Sequence, residues 1–81
     1  MTRLKVRYFA SVRDWTGVRE EVLNAPDGLT AGGLRRLVAG SHGKPELEPT
    51  LLVAVNGSFV EPGRVLSEPD DVAVFPPVSG G

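Results

Sequence analysis

The sequence predicts an α+β domain, a mixed sheet of about four to five strands packed on one main helix. Three observations carry this. Residues 3–9 (RLKVRYF) alternate apolar and charged side chains, the period of a half-buried strand. Residues 50–60 (TLLVAVNGSFV) hold an apolar run, an Asn-Gly pair and a short return. Asn-Gly is a strong hairpin signal because both residues tolerate positive φ. Between these units Leu34, Leu37 and Val38 recur at helical spacing behind Thr30, a side chain suited to capping a first turn. One amphipathic helix and several one-faced strands bury their apolar surfaces best as a sheet covered on one face.

Each element follows from local chemistry. In the first strand Leu4, Val6 and Tyr8 share one face, and Arg3, Lys5, Arg7 and Phe9 share the other. The stretch ASVRDWTG (10–17) reads as a short helix stopped by Gly17. VREEVLN (18–24) is the second strand, ended by the APDG turn, whose Pro and Gly preset the backbone. Together the two strands predict a hairpin. The main helix is expected from 31 to 40. Gly32 and Gly33 weaken its first turn by ~1 kcal/mol each relative to alanine, so tertiary packing must hold it. GSHGKPELEP (40–49) is expected to be loop. EPGRVLSEPDD (61–71) is expected to be a loop with Val65 and Leu66 tucked inward, and VAVF (72–75) the last strand. The segment after the first hairpin supplies the crossover. No repeat divides the chain; residues 1–75 form one domain and 76–81 an extended tail.

Composition excludes several classes of function. At 81 residues a chain buries only about 60% of its unfolded surface, so few side chains can be spared for an enclosed active site. The net charge of −1 gives no electrostatic footprint for nucleic acid. The absence of cysteine removes disulfides, thiolate metal sites and a cysteine nucleophile together. No apolar run reaches the length of a membrane span or signal-peptide core. A cytoplasmic protein without membrane or nucleic-acid partners is therefore expected.

Nor does any side chain look like a catalyst. His42, the only histidine, has no acidic or cysteine partner at ligand spacing and is expected to be a solvated loop residue. None of the serines lies in a G-x-S-x-G setting. Glu20 and Glu21 point to opposite faces of a strand and cannot form a carboxylate dyad. Asp70 and Asp71 read as a solvated turn. Gly32-Gly33 fits no phosphate-binding pattern.

The alternation gives one unusual result. If Val72 and Val74 face the core, Phe75 points outward. Phe9 shares the outward face of Arg3, Lys5 and Arg7, and Phe59 follows the Asn-Gly turn. All three phenylalanines are expected on the open side of the sheet, and a contiguous aromatic patch marks a partner surface.

The chain reads out in VFPPVSGG. Pro76 and Pro77 remove two backbone donors and stiffen the tail. Six residues from Pro76 to Gly81 reach roughly 20 Å, and the thin Ser79-Gly80-Gly81 end can thread a channel where any Cβ would clash. The only reactive group such a tail delivers is the Gly81 α-carboxylate. It is ionised at neutral pH, so it acts as an acyl donor only when activated, most simply as an acyl-adenylate.

VRYFASVRDWTG, LLVAVNGSFV and DDVAVFPPVSGG resemble, from end to end, the small sulfur-carrier subunits of molybdopterin synthase, which are ubiquitin-like β-grasp proteins. Gly32-Gly33 departs from the better helix formers usual there. The resemblance implies that an E1-like enzyme, using its own ATP, adenylates Gly81, and that a sulfur-transfer system converts the adenylate to a thiocarboxylate. It implies further that the tail, with Gly80 giving passage and Pro76, Pro77, Val78 and Ser79 as spacer, enters the large synthase subunit within a heterotetramer. There sulfur passes to cyclic pyranopterin monophosphate, building the dithiolene. Phe9, Phe59 and Phe75 match positions that pack on the large subunit and the activating enzyme, and Arg13 a polar rim contact. The carrier itself binds no metal, pterin or ATP and is not catalytic alone. Alternatives are a sulfur carrier for thiamine thiazole synthesis, whose relatives generally lack this spacer, a carrier for tRNA thiolation or a ubiquitin-like modifier, and a plain binding module with an inert tail.

Overall fold

The computed structural model describes residues 1–77. Strand β1 (Thr2–Tyr8) buries Leu4, Val6 and Tyr8 and exposes Arg3, Lys5 and Arg7, as its alternation requires. Helix α1 (Ala10–Thr16) follows and ends at Gly17, whose φ of 81° and N–H bond to the Arg13 carbonyl close the last turn. Strand β2 (Glu20–Ala25) pairs antiparallel with β1, Lys5 opposite Val22 and Val6 opposite Glu21. It starts two residues later than its sequence suggests, because Val18 and Arg19 complete the turn out of α1.

Helix α2 (Ala31–Ser41) is capped as expected, the Gly33 N–H donating to Thr30 Oγ1 at 3.1 Å. Ala31, Leu34, Val38 and Ala39 are buried, while Leu37 is half-buried. Gly32, one of the glycines that weaken this helix, has a packing reason. A Cβ there would stand 3.1 Å from Pro62 Cβ. Without it the 61–66 loop lies on the first turn, where the Ala31 and Gly32 N–H groups donate to the Arg64 and Pro62 carbonyls at 2.8 and 2.9 Å.

The stretch expected to be loop after α2 is in part a 3-10 helix, Pro45–Thr50, with Pro45 in its first turn. Proline's fixed φ and missing N–H suit that position, and composition alone does not separate such a turn from irregular loop. Strand β3 (Leu52–Val55) turns at Asn56 and Gly57, φ 52° and 88°, into the two-residue strand β4 (Ser58–Phe59). Leu66 is buried at 2% exposure, but Val65 is 49% exposed. Val65 forms a β-bridge with Thr30, and neighbouring residues of extended backbone point to opposite sides. Only one of the two can face inward.

Strand β5 (Val72–Phe75) completes a five-stranded sheet of order β2-β1-β5-β3-β4. It runs parallel to β1 and antiparallel to β3. The parallel pair at the centre requires a crossover, and α2 supplies it. Val6, Val72, Val74 and Leu34 are fully buried, which places the core between the sheet and α2. The other face of the sheet is left open.

Candidate functional site

The open face carries the predicted aromatic patch. Val72 and Val74 take the core side, so Ala73 and Phe75 take the other. Past the end of β1 the Phe9 N–H still donates to the Val74 carbonyl at 3.2 Å, which seats Phe9 beside Phe75. Their rings stack with centroids 4.6 Å apart and planes 5° from parallel. Phe59 meets Phe75 edge-on at 5.4 Å and 72°. All three rings form one cluster on the face the sequence assigned them. Phe59 is the most open, at 62% exposure.

The cluster has a floor that the sequence did not announce. Sheet register sets Ala73 opposite Ala54, and Ala54 opposite Phe59. Two methyl side chains side by side leave a shallow groove of about 220 Å³, walled by Phe9, Phe59 and Phe75. Arg7 and Asp71 close one end, Arg7 Nη2 donating to Asp71 Oδ2 at 2.8 Å. The Arg7 guanidinium also lies 5.6 Å from the centre of the Phe9 ring. Such a groove, apolar with one polar end, suits an apolar side chain from another protein.

The tail leaves from this patch. Pro76 is half-buried and Pro77 exposed, directly after Phe75. Val78, Ser79, Gly80 and Gly81 lie outside the described residues. Arg13 is exposed on α1 and lines a second groove with Arg7, Tyr8, Phe9, Arg19 and Glu20. Arg7, Asp71, Ala54 and Ala73 are site residues that sequence reasoning missed. Alternation signals the outward placement of Arg7 and Ala73, but only strand order brings them to the aromatic rings.

Two expectations are corrected. His42 is no solvated loop residue. It ends α2, its side chain is 20% exposed, and its Nε2 lies 2.8 Å from Glu21 Oε2. The same Glu21 oxygen accepts the Tyr8 hydroxyl at 2.5 Å, and the Trp15 ring meets the imidazole edge-on at 6.2 Å. Burial and then the Glu21 hydrogen bond push the Tyr8 phenol far up. Burial alone would raise Glu21, but its bonds to Tyr8 and His42 outweigh that and hold it below its ordinary value. Glu20 lies on the other face beside Lys5, at 3.8 Å, so the two glutamates do not form a dyad.

Asp70 is likewise more than a solvated turn residue. Its side chain is 11% exposed. It accepts the Ser67 N–H at 2.8 Å and Asn56 Nδ2 at 3.1 Å, bonds that hold its pKa below the ordinary value. Asn56 Oδ1 in turn accepts the Asp71 N–H at 2.9 Å. The hairpin turn and the start of β5 are thereby fastened together, which fixes the groove's polar end. Among the described residues no three His, Asp or Glu side chains gather into a possible metal site. No described helix is long and apolar enough to cross a membrane.

A mixed five-stranded sheet covered on one face by one main helix is the ubiquitin-like β-grasp fold. The model of the ThiS family matches residues 6–81, and the chain belongs to that family. Across its whole length it is 34% identical to the human molybdopterin synthase sulfur carrier subunit, spanning 97% of it. Over 96% of the chain it is 37% identical to the protein of the same name from Escherichia coli (strain K12), spanning 99% of that one. Among solved structures, a putative molybdopterin converting factor subunit 1 from Pyrococcus furiosus superposes with a TM-score of 0.82 at 32% identity, over 96% of this chain and 100% of that one. A ubiquitin from Caldiarchaeum subterraneum shares the fold at a TM-score of 0.70 and 15% identity, over 99% and 98% of the two chains. So does a chain in the complex of subunits 1 and 2 of molybdopterin-converting factor from Helicobacter pylori 26695, at 0.66 and 21%, over 99% and 100%.

Proposed function

We propose that this chain is the sulfur-carrier subunit of a molybdopterin synthase. The observation that carries the reading is the Phe9–Phe75–Phe59 cluster at the root of the Pro76-Pro77 segment, in a chain whose relatives at 34% and 37% identity bear that name. The domain is the handle and the tail is the working part. The aromatic face docks on a large synthase subunit, as subunit 1 is paired with subunit 2 in the H. pylori complex. Docking aims Pro76–Gly81 into the partner's active site.

The chemistry resides in Gly81. An E1-like enzyme lets its carboxylate oxygen attack the α-phosphorus of ATP, releasing pyrophosphate. Sulfur delivered by a transfer system at the sulfide level attacks the acyl carbon and displaces AMP, leaving the thiocarboxylate. In the large subunit that sulfur passes to cyclic pyranopterin monophosphate, and water restores the carboxylate. A dithiolene needs two sulfurs and each carrier brings one, which suits an assembly with two carriers. The chain contributes no catalytic side chain; Gly80 and Gly81 contribute the absence of one, leaving the carbonyl open to attack.

The test uses protein bearing a chemically installed Gly81 thiocarboxylate. Mixed with its own organism's large subunit and cyclic pyranopterin monophosphate, it is expected to yield molybdopterin and return as the carboxylate. No product, where a control carrier works on the same large subunit, overturns the reading. Sulfur delivery to a thiazole synthase or a tRNA thiolase, or Gly-Gly remnants on lysines, would then identify one of the other carriers.

A further inference from the structure

The chain's charge is unevenly distributed. Arg3, Lys5, Arg7, Arg13 and Arg19 are five of its nine Lys and Arg residues, and only Asp14 opposes them within residues 1–19 of a chain whose net charge is −1. The fold sets three of them, Arg7, Arg13 and Arg19, beside Phe9 of the aromatic patch. Arg3, Lys5 and Arg7 stand on the open face of β1, while Arg13 comes from the last turn of α1. Arg19 is held at the start of β2 by its carbonyl, which accepts the Tyr8 N–H at 2.8 Å.

Two of these cations are already engaged, Lys5 with Glu20 at 3.8 Å and Arg7 with Asp71 at 2.8 Å. Arg13 and Arg19 are exposed and enter no ion pair among the described residues. Both line one groove, whose other walls include Arg7 and Phe9. Arg7 and Phe9 also line the aromatic groove. The basic groove and the apolar groove therefore lie side by side and share a wall.

We infer that Arg13 and Arg19 form an electrostatic landing site for a protein partner that carries carboxylates beside its apolar anchor. This rests on the sulfur-carrier reading and adds the chemistry of the partner's surface. Opposite charge across an interface acts chiefly on the association rate and on orientation, while a buried apolar anchor sets the dissociation rate. Two guanidiniums on one side of the patch fix which way round the partner sits, and hence where the tail points. An anionic bilayer would read positive charge alone, and a nucleic-acid strand needs an uninterrupted basic groove that follows its backbone. Here Glu20 lies in the groove itself and an aromatic surface adjoins it, the mixture of a protein interface.

The test compares wild type with the Arg13→Glu/Arg19→Glu double variant, both side chains being exposed, after thermal melts confirm the fold. Association with the large subunit is timed at low salt and at ~0.3 M salt, where charges are screened beyond a few ångströms. The expected result is association slowed at least ~10-fold at low salt, a flattened salt dependence, and a dissociation rate within ~3-fold of wild type. The Arg13→Lys/Arg19→Lys variant should keep most of the rate. Unchanged association and salt dependence, with wild type binding normally, overturns the inference alone. Wild type that does not bind the large subunit at all removes the sulfur-carrier reading and this inference with it. Tighter binding to a single-stranded DNA oligomer or phosphatidylserine vesicles than to the large subunit, lost in the double variant, also overturns it.

Discussion

The rings of Phe9 and Phe75 lie 4.6 Å apart and 5° from parallel. One closes the first strand and the other closes the last, and the parallel β1–β5 pairing brings them together. The stack joins the root of the tail to the centre of the sheet, so a partner that grips the rings also positions the tail.

Phe75→Ala removes the ring that both Phe9 and Phe59 touch. The half-buried side chain contributes little to the core, so the fold should persist. Binding to the large subunit should weaken by ~2 kcal/mol or more, the scale of an interface anchor. Calorimetry that finds unchanged affinity would remove Phe75 from the docking surface.

Deleting Gly81, or adding one residue after it, should abolish sulfur transfer while leaving the melting temperature unchanged. Neither change touches a residue of the core. Transfer retained by either variant would show that the Gly81 carboxylate is not the reacting group.

Glu21→Gln should destabilise the fold at neutral pH by about 1–2 kcal/mol, the scale of hydrogen bonds to a charged group. The lowered pKa of Glu21 sets the sign of its pH dependence. The carboxylate's contribution is fully present above its ordinary unfolded value, about 4.3, and is lost as pH falls through the lower folded value. Urea titrations should therefore separate the variant from wild type at pH 7 and bring them together in acid. An equal gap at both pH values would show that the Tyr8–Glu21–His42 contacts do not depend on the charge.

Two glycines of α2 should respond unequally to alanine. A Cβ on Gly40 meets nothing within 4 Å, so Gly40→Ala should stabilise by ~0.5–1 kcal/mol. A Cβ on Gly32 meets Pro62 Cβ at 3.1 Å and the Pro62 carbonyl at 3.3 Å, and Gly32→Ala should lag Gly40→Ala by ~1 kcal/mol or more. Equal gains in thermal denaturation would mean that the 61–66 loop does not pack closely on the helix.

The sequence by itself determined what depends on neighbours along the chain. Apolar alternation set the faces of β1 and β5, and with them the outward placement of Phe9 and Phe75. Asn56-Gly57 set the hairpin, Thr30 the start of α2 and Gly17 the end of α1, because each acts through bonds within a few residues. Tertiary structure alone decided what depends on strand order. It set β1 against β5, laid Ala54 and Ala73 side by side as the floor of the groove, and carried His42 to Glu21, 21 residues away. It also gathered Arg13 and Arg19 at one groove. Such contacts leave no local period or spacing to read, since they form only when distant strands pair and the core closes beneath them.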